Sequence, residues 1–238
     1  TASPLCAIAV NDNVFWMGRE EFYVYAGAVN KLPCTVKDYV FSDFNEQQIQ
    51  KVTAANNSSF SEIWWFYPSA DSDENDRYVV FNYEQQVWYY GTMDRTCWLD
   101  RGVDALPIAA SSDHYLYEQE SGLDDGSTAP ASAISSRIES SQIDLGDGDQ
   151  FAFLSRIIPD SPTATFTLGV RNFPGGKYLH TEAGTVSKTA STPVEQFTKE
   201  VRTRLRGRSF NLKVESSATE TTWRLGTPRV EIRPDGRR

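Results

Sequence analysis

With 238 residues, 39% of them hydrophobic, the chain can bury one large or two small cores, and its formal charge of −9 excludes a generally basic nucleic-acid binder. Its three cysteines, Cys6, Cys34 and Cys97, are odd in number and share no CxxC spacing, which argues against a disulfide framework and a structural zinc site and points to free thiols in a reducing compartment. No apolar run approaches the ~18 residues of a membrane-spanning helix, and no signal-peptide pattern opens the chain. The opening TASPLCAIAV lacks an initiator Met and reads as mid-protein sequence, so a fragment or a processed product is expected.

The first half is written in aromatic hairpins. Residues 13–27, NVFWMGREEFYVYAG, form two apolar runs around Gly18-Arg19-Glu20. Residues 77–91, RYVVFNYEQQVWYYG, repeat the plan around Asn82-Tyr83-Glu84, and a shift of 65 residues lays Phe22-Tyr23-Val24-Tyr25 over Val87-Trp88-Tyr89-Tyr90. Between them SEIWWFYPS (61–69) predicts a strand stopped by Pro68, and RTCWLDRG (95–102) and SDHYLYEQES (112–121) predict two more. Recurrent short aromatic strands are the pattern of propeller blades, but the stretch is too short to close a ring of blades of about 40–50 residues. Residues 35–57 break the pattern: Val40, Phe44, Ile49 and Val52 recur at helical intervals, with Ser42 or Asn45 as the cap and Asn56-Asn57 as the end of one or two short helices. SADSDENDR (69–77) reads as a solvated acidic loop.

GLDDGSTAPASA (122–133) is small, polar and turn-rich, and the charge balance reverses there. Residues 1–129 hold 7 Lys/Arg against 20 Asp/Glu, net −13, and residues 130–238 hold 16 against 12, net +4. The expected organisation is an incomplete propeller-like domain over 1–129 and a β-sandwich domain over 130–238. Strands are expected near 134–144, 151–158, 164–171, 196–205, 208–216 and 222–232, separated by turns such as NFPGGK and SSATET. The fold class is all-β: propeller-like antiparallel hairpins with a short helical insertion, then an antiparallel β-sandwich.

Within 196–216, Arg202, Arg204, Arg206 and Arg208 alternate with Phe197, Val201 and Leu205, and after Gly207 the apolar residues Phe210, Leu212 and Val214 change phase. A one-residue change of phase reverses the two faces of a strand, so a bulge or bend is expected at Arg206-Gly207-Arg208. The arginines then lie on a polar face away from the core. That face alone does not name its partner: nucleic acid, a neighbouring subunit and solvent would each accept it.

The residues offer little chemistry. His114 and His180 stand in no GxSxG or comparable context, and each reads as a surface or strand-face histidine. Asp144, Asp147 and Asp149 in DLGDGDQ carry calcium-type oxygens out of EF-hand order, and a tight turn is the preferred reading. DDGST (124–128) echoes the Ser-x-Asp-x-Gly-x-Thr-Trp turn of sialidase-type propellers, but Gly122 replaces the Ser and Ala129 the Trp. No phosphate loop or dinucleotide fingerprint is present, and no catalytic, cofactor or metal residues are expected. The sequons at Asn56 and Asn57 carry little weight without a secretion signal.

Two tracts carry a family resemblance. Residues 204–238, with Arg206-Gly207-Arg208, Trp223-Arg224-Leu225-Gly226 and the terminal Arg233-Pro234-Asp235-Gly236-Arg237-Arg238, resemble the closing segment of a family of bacteriophage tail proteins. Residues 64–102 are similar to the blade region of the same proteins: Trp-Phe-Tyr-Pro, an acidic loop, Tyr-Val-Val-Phe-Asn-Tyr, a Trp-Tyr strand, then Arg-Thr-x-Trp. The family comprises the tail nozzle (tail tubular protein B) of short-tailed phages and related packaged-DNA stabilisation proteins. The resemblance implies a non-enzymatic virion tail protein, a homo-oligomeric ring that retains and conducts DNA and meets an adaptor and tail fibres; in such a ring the first expected role of Arg202, Arg204, Arg206 and Arg208 is contact with acidic faces of an adjacent subunit, with solvent exposure second and DNA third. The alternative is a glycan-binding or polysaccharide-depolymerising tail protein, whose mark is a Trp- or Tyr-lined groove with two facing carboxylates.

Overall fold

Alternating β-branched and aromatic residues, punctuated by Gly, Asn and Asp, favour short hairpins joined in sequence, and the fold is built of them. A computed structural model describes residues 1–103, 106–144, 150–172 and 188–236. The chain is mostly β, with several small antiparallel sheets and two short helices, and it divides into two compact units, Thr1–Ser121 and Gly122–Arg238. No helix among the described residues is long and apolar enough to cross a membrane.

Unit 1 contains three meanders. The first sheet is β1 (Ala7–Val10), β2 (Asn13–Met17), β3 (Phe22–Tyr25) and β4 (Val29–Leu32); the second is β5 (Thr53–Asn57), β6 (Glu62–Tyr67), β7 (Arg77–Asn82) and β8 (Val87–Thr92). The third is β9 (Cys97–Leu99), β10 (Ile108–Ala110) and β11 (Leu116–Glu118). Both expected hairpins form. Gly18 N donates to Glu21 O at 2.7 Å in one turn, and in the other Asn82 Oδ1 accepts from Glu84 N at 3.1 Å and Gln85 N at 2.8 Å. The 65-residue repeat does not relate equivalent strands, since it lays the third strand of one sheet on the fourth strand of the next. The sheets themselves recur at 46 and 44 residues, counted between the first residues of β1, β5 and β9, and β1 lies against β5 and β5 against β9. The described strands do not close a propeller.

The segment between the first two sheets is helical for fewer residues than its periodicity predicts. Helix α1 (Lys37–Ser42) buries Val40, and a 3-10 helix (Glu46–Lys51) buries Ile49. Asn45 is the cap, its Oδ1 accepting from Gln47 N at 3.0 Å, whereas Ser42 ends α1. Asn56 and Asn57 do not end a helix; they lie in β5, where pairing with β6 outweighs their turn preference. The acidic loop is tied down rather than merely solvated: Asp76 accepts from Ser69 N at 2.7 Å and Ser69 Oγ at 2.8 Å, and Arg77 reaches Asp43 at 3.4 Å.

Two apolar layers hold unit 1 together. One gathers Phe15, Met17 and Phe22 from the first sheet, Val40 and Ile49 from the helices, and Ile63, Trp65, Tyr67, Val79 and Phe81 from the second sheet. Trp65 Nε1 donates to Cys6 O at 2.9 Å, so the largest fully buried side chain is also satisfied. On the opposite face of the second sheet Ala55, Trp64, Phe66 and Val80 pack with Tyr78, Met93 and Trp98.

Unit 2 has two sheets around one core. The larger contains β12 (Ser136–Glu139), β13 (Ile143–Asp144), β15 (Ala164–Arg171), β16 (Lys188–Val194) and β18 (Ser209–Ser216) in the order β12-β18-β15-β16, with β13 also on β18. The smaller is β17 (Val201–Gly207), β14 (Ala152–Ile158) and β19 (Arg229–Pro234), in that order. Leu154, Ile157, Val201 and Leu205 from the smaller sheet meet Phe166, Leu168, Val170, Phe210 and Val214 from the larger. The phase change near Gly207 is where the chain leaves one sheet for the other: Arg208 is the bend, and its N–H donates to Arg171 O at 2.7 Å. A Cβ on Gly207 would stand 2.6 Å from Val170 Cβ, so only glycine permits the close crossing. The register irregularity is not at Arg206–Arg208 but further back in the arginine strand: between the pairs Leu154–Leu205 and Arg156–Arg202, β17 carries one residue more than β14, at Thr203 and Arg204.

Other expectations for this unit shift at the edges. Strand β16 was not anticipated, residues 196–200 and 222–228 are not strand, and Phe197 is 87% exposed instead of facing the core. Most of NFPGGK lies outside the described residues.

Candidate functional site

The arginine face is built by β17, β14 and β19. In β17, Val201, Thr203 and Leu205 point into the core, so the period of two forces Arg202, Arg204 and Arg206 outward. Thr203 is inside without penalty because its Oγ1 donates to Leu154 O at 3.0 Å. Arg156 stands opposite both Arg202 and Glu231 in the register, which places a charged row across all three strands.

That row is a chain of ion pairs. Arg156 meets Glu200 at 2.8 Å and Glu231 at 2.5 Å; Arg202 meets Glu200 at 3.2 Å and Arg233 meets Glu231 at 2.6 Å. Both carboxyls are held below their ordinary range. For Glu200 the Arg156 hydrogen bond is the main cause, followed by Arg202; for Glu231 it is Arg233, followed by Arg156. At the far end Arg206 pairs with Asp235 and lies 4.1 Å from the Phe151 ring centroid, with Arg208 at 5.0 Å from the same ring.

The four predicted residues therefore divide. Arg206 and Arg208 bracket Phe151 within unit 2, Arg202 shares Glu200 with Arg156, and Arg204 makes no ion pair among the described residues. Arg156, Arg202, Arg204 and Arg233 are all exposed on this face, with Arg229 exposed at the start of β19. The row of alternating arginines was legible in the sequence. Glu200, Glu231 and Arg156 were not, because their meeting depends on strand order.

A second group was missed altogether. Asn57, Glu62 and Asn82 share one row of the second sheet, and Glu120 follows β11. Glu62 accepts from Trp64 Nε1 at 3.0 Å and is also hydrogen-bonded to Tyr89, and Glu120 accepts from Asn57 Nδ2 at 2.9 Å. Burial pushes both carboxyls up, and the charge of Glu120 raises Glu62 further. Tyr78 and Tyr89 are also pushed up, first by burial and then by these carboxylates. Glu62 and Glu120 lie 58 residues apart in sequence, so no local motif announces the pair.

The remaining expected positions fall elsewhere. His114 sits exposed in the β10–β11 turn with φ of 71°, its N–H donating to Ser111 O at 3.2 Å. His180, Asp147, Asp149, Arg237 and Arg238 lie outside the described residues, and Asp144 is exposed at the end of β13. In DDGST, Asp125 Oδ1 accepts from Ser127 N at 2.9 Å, a turn contact, and Asp124 accepts from Glu220 N at 2.9 Å, a long-range contact within unit 2. Trp223-Arg224-Leu225-Gly226 lies along the core of unit 2: Trp223 and Leu225 pack against it, and Trp223 Nε1 donates to Ser136 Oγ at 2.9 Å. Among the described residues no three His, Cys, Asp or Glu converge to hold a metal ion. Comparison with protein families and with curated proteins finds no match to the chain.

Proposed function

We propose that this protein is a structural component of a bacteriophage tail, a homo-oligomeric ring that retains and conducts packaged DNA. Unit 1 is read as propeller-like blades and unit 2 as a β-sandwich, in keeping with the resemblance to the tail nozzle of short-tailed phages. The observation that carries the reading is the outward arginine face of β17, where Arg202 and Arg204 are exposed and Arg204 makes no ion pair among the described residues. The residues of unit 1 carry most of the chain's acids, so copies offer each other opposite charges that set register more than affinity. An acidic wall also lets DNA pass without the counterion release that drives binding to a basic one. In this reading the neighbours are further copies, an adaptor and tail fibres, and the location is the virion tail.

Electron microscopy of the purified protein tests it. Rings are expected for the native chain, and Arg202→Glu with Arg204→Glu is expected to disperse them; dispersed particles for the native chain at low salt would count against the reading.

A second reading has one observation of its own. Glu62 and Glu120, two raised carboxyls beside Trp64, Tyr78 and Tyr89, are the residue types a glycan-cleaving site uses. Each carboxyl is nevertheless bound to a partner within unit 1, Trp64 and Tyr89 for Glu62 and Asn57 for Glu120, as a packing group would be. Turnover of a capsular or cell-wall polysaccharide, abolished by Glu62→Gln and Glu120→Gln, would establish it.

A further inference from the structure

We infer that Glu62 and Glu120 hold one proton between them across Asn57, and that this proton fastens the third sheet of unit 1 over the second, as a lid that loosens when pH rises. Asn57, Glu62 and Asn82 form one row of the second sheet, and Glu120 reaches that row from just past β11. Asn57 is fully buried. Its Nδ2 donates to Glu120 Oε1 at 2.9 Å, while its Oδ1 is closed to solvent and has no donor. A buried amide oxygen left without a donor is rare in folded proteins. Closed to water, this one is closed to a hydrated metal ion as well.

What can reach it is a hydrogen that a neighbouring side chain already carries. Register places Glu62 opposite Asn57 on the same face, and Glu120 lies at the other amide atom. The donors beside Glu62, Trp64 Nε1 and the Tyr89 hydroxyl, are both spent on Glu62 itself. The missing O–H therefore belongs to a carboxylic acid, Glu62 or Glu120. Turning the amide over leaves the same need, because Oδ1 would then face a Glu120 oxygen and only a protonated carboxyl satisfies that contact.

Charge gives the same answer. Glu62 faces Glu120 of the third sheet and Tyr89 of β8, and Tyr78 of β7 feels both carboxyls. Asp100, the other acid flanking the third sheet, is bound to Asn56, whose side chain leaves β5 on the opposite face. No Lys, Arg or His among the described residues acts on either Glu62 or Glu120. Two facing carboxyls without a cation lose less by sharing one proton than by giving up both.

The third sheet is built to respond. Its strands are three residues each; Ala109 alone among those residues is fully buried, and Leu99 and Leu116 are 69% and 74% exposed. Trp98 holds it to the second sheet by stacking on Trp64 and Phe66 and donating Nε1 to Asn56 O at 3.1 Å. Asp100 adds contacts to Asn56 Nδ2 at 3.0 Å and Ser58 N at 3.2 Å, and Glu120 adds the bond to Asn57. An element with so little apolar burial lies at the low end of local stability. When the pair releases its last proton to solvent, two charges flank Asn57 and Oδ1 loses its donor. Lifting the sheet returns Glu120 to water and uncovers Trp64, Phe66 and Tyr78.

Hydrogen exchange against pH, corrected for the intrinsic rate of each amide, tests this. Between the ordinary carboxylate range and the raised value of the closed pair, lifting the sheet releases one proton. Opening at the amides of Thr96, Ser111 and Gln119 should therefore grow about tenfold per pH unit, while amides of β2 and β3 keep their protection. Glu62→Gln with Glu120→Gln keeps acceptors for Trp64 and Asn57 and offers Oδ1 an N–H, so it should remove the slope and hold the sheet down at every pH. A slope in the native chain no steeper in β9–β11 than in β2 and β3 overturns the lid, and a slope that the double variant retains overturns the shared proton. Carbon NMR of the glutamate carboxyls reads the proton in the native chain itself: one carboxyl is expected to stay neutral after the other has ionised, and ionisation of both within the ordinary range overturns the pair.

Discussion

Carboxylates experience opposite environments in the two units. In unit 1, Glu62 and Glu120 lie against aromatic packing and are pushed up by burial; in unit 2, Glu200 and Glu231 lie among guanidinium groups and are pulled down by hydrogen bonds. The difference follows from what each sheet has on its faces. The second sheet of unit 1 is covered on both sides by aromatic layers, so its polar residues are caught between them. The smaller sheet of unit 2 buries one face only and lays its charges on the other. One unit is stabilised by aromatic burial in which charge is a burden, the other by a thinner core bordered by paired charges.

The contrast is broken most severely through the core of unit 1. Trp65→Ala removes the largest fully buried side chain and the hydrogen bond to Cys6, and should cost about 3–5 kcal/mol. Hydrogen exchange should show protection lost across β6 and β7 while β15 and β18 of unit 2 keep theirs. Next in size is Gly207→Ala, whose methyl must displace Val170 or the Arg171 carbonyl; a loss of about 1–3 kcal/mol, confined to unit 2, is expected in the same measurement.

pH sharpens the comparison because the two signs differ. Glu62 has its folded pKa raised, so between the unfolded and folded values the native state holds the extra proton and stability falls as pH rises. Glu62→Gln keeps an acceptor for Trp64 and removes that burden, so it should raise the melting temperature by a few degrees at neutral pH and by much less near pH 4. Equal shifts at both values would count against the assignment. Glu200 and Glu231 have lowered values, so their contribution is complete above the usual carboxylate range and disappears as pH falls through the folded values. Glu231→Gln is therefore the smallest effect: a slight loss at neutral pH that disappears in acid and shrinks in salt, because the row is exposed to solvent.

Local pattern determined a good deal. The hairpins at 13–25 and 77–92, the strand before Pro68, the Asn45 cap, the outward arginines and the reversal at Gly207 each follow from neighbours a few residues apart. Strands with weaker signatures were not legible: β1 with Ala7 and Ala9, β5 with Asn56 and Asn57, β10 with two alanines, and β16. The alanines and asparagines of β5 and the alanines of β10 have little β preference of their own, and β5 is a strand because a stronger neighbour, β6, supplies the hydrogen bonds.

The 46- and 44-residue recurrence is not written in side-chain type: the aromatic likeness lies between β3 and β8, which occupy different places in their sheets. The sequence alone thus settled which side chains face inward or outward on its strong strands, through the period of two that every strand obeys. Only the tertiary structure decided which distant groups share a face. The Arg156 row and the Glu62–Glu120 pair arise from strand order and sheet stacking, and nothing within a few residues encodes them.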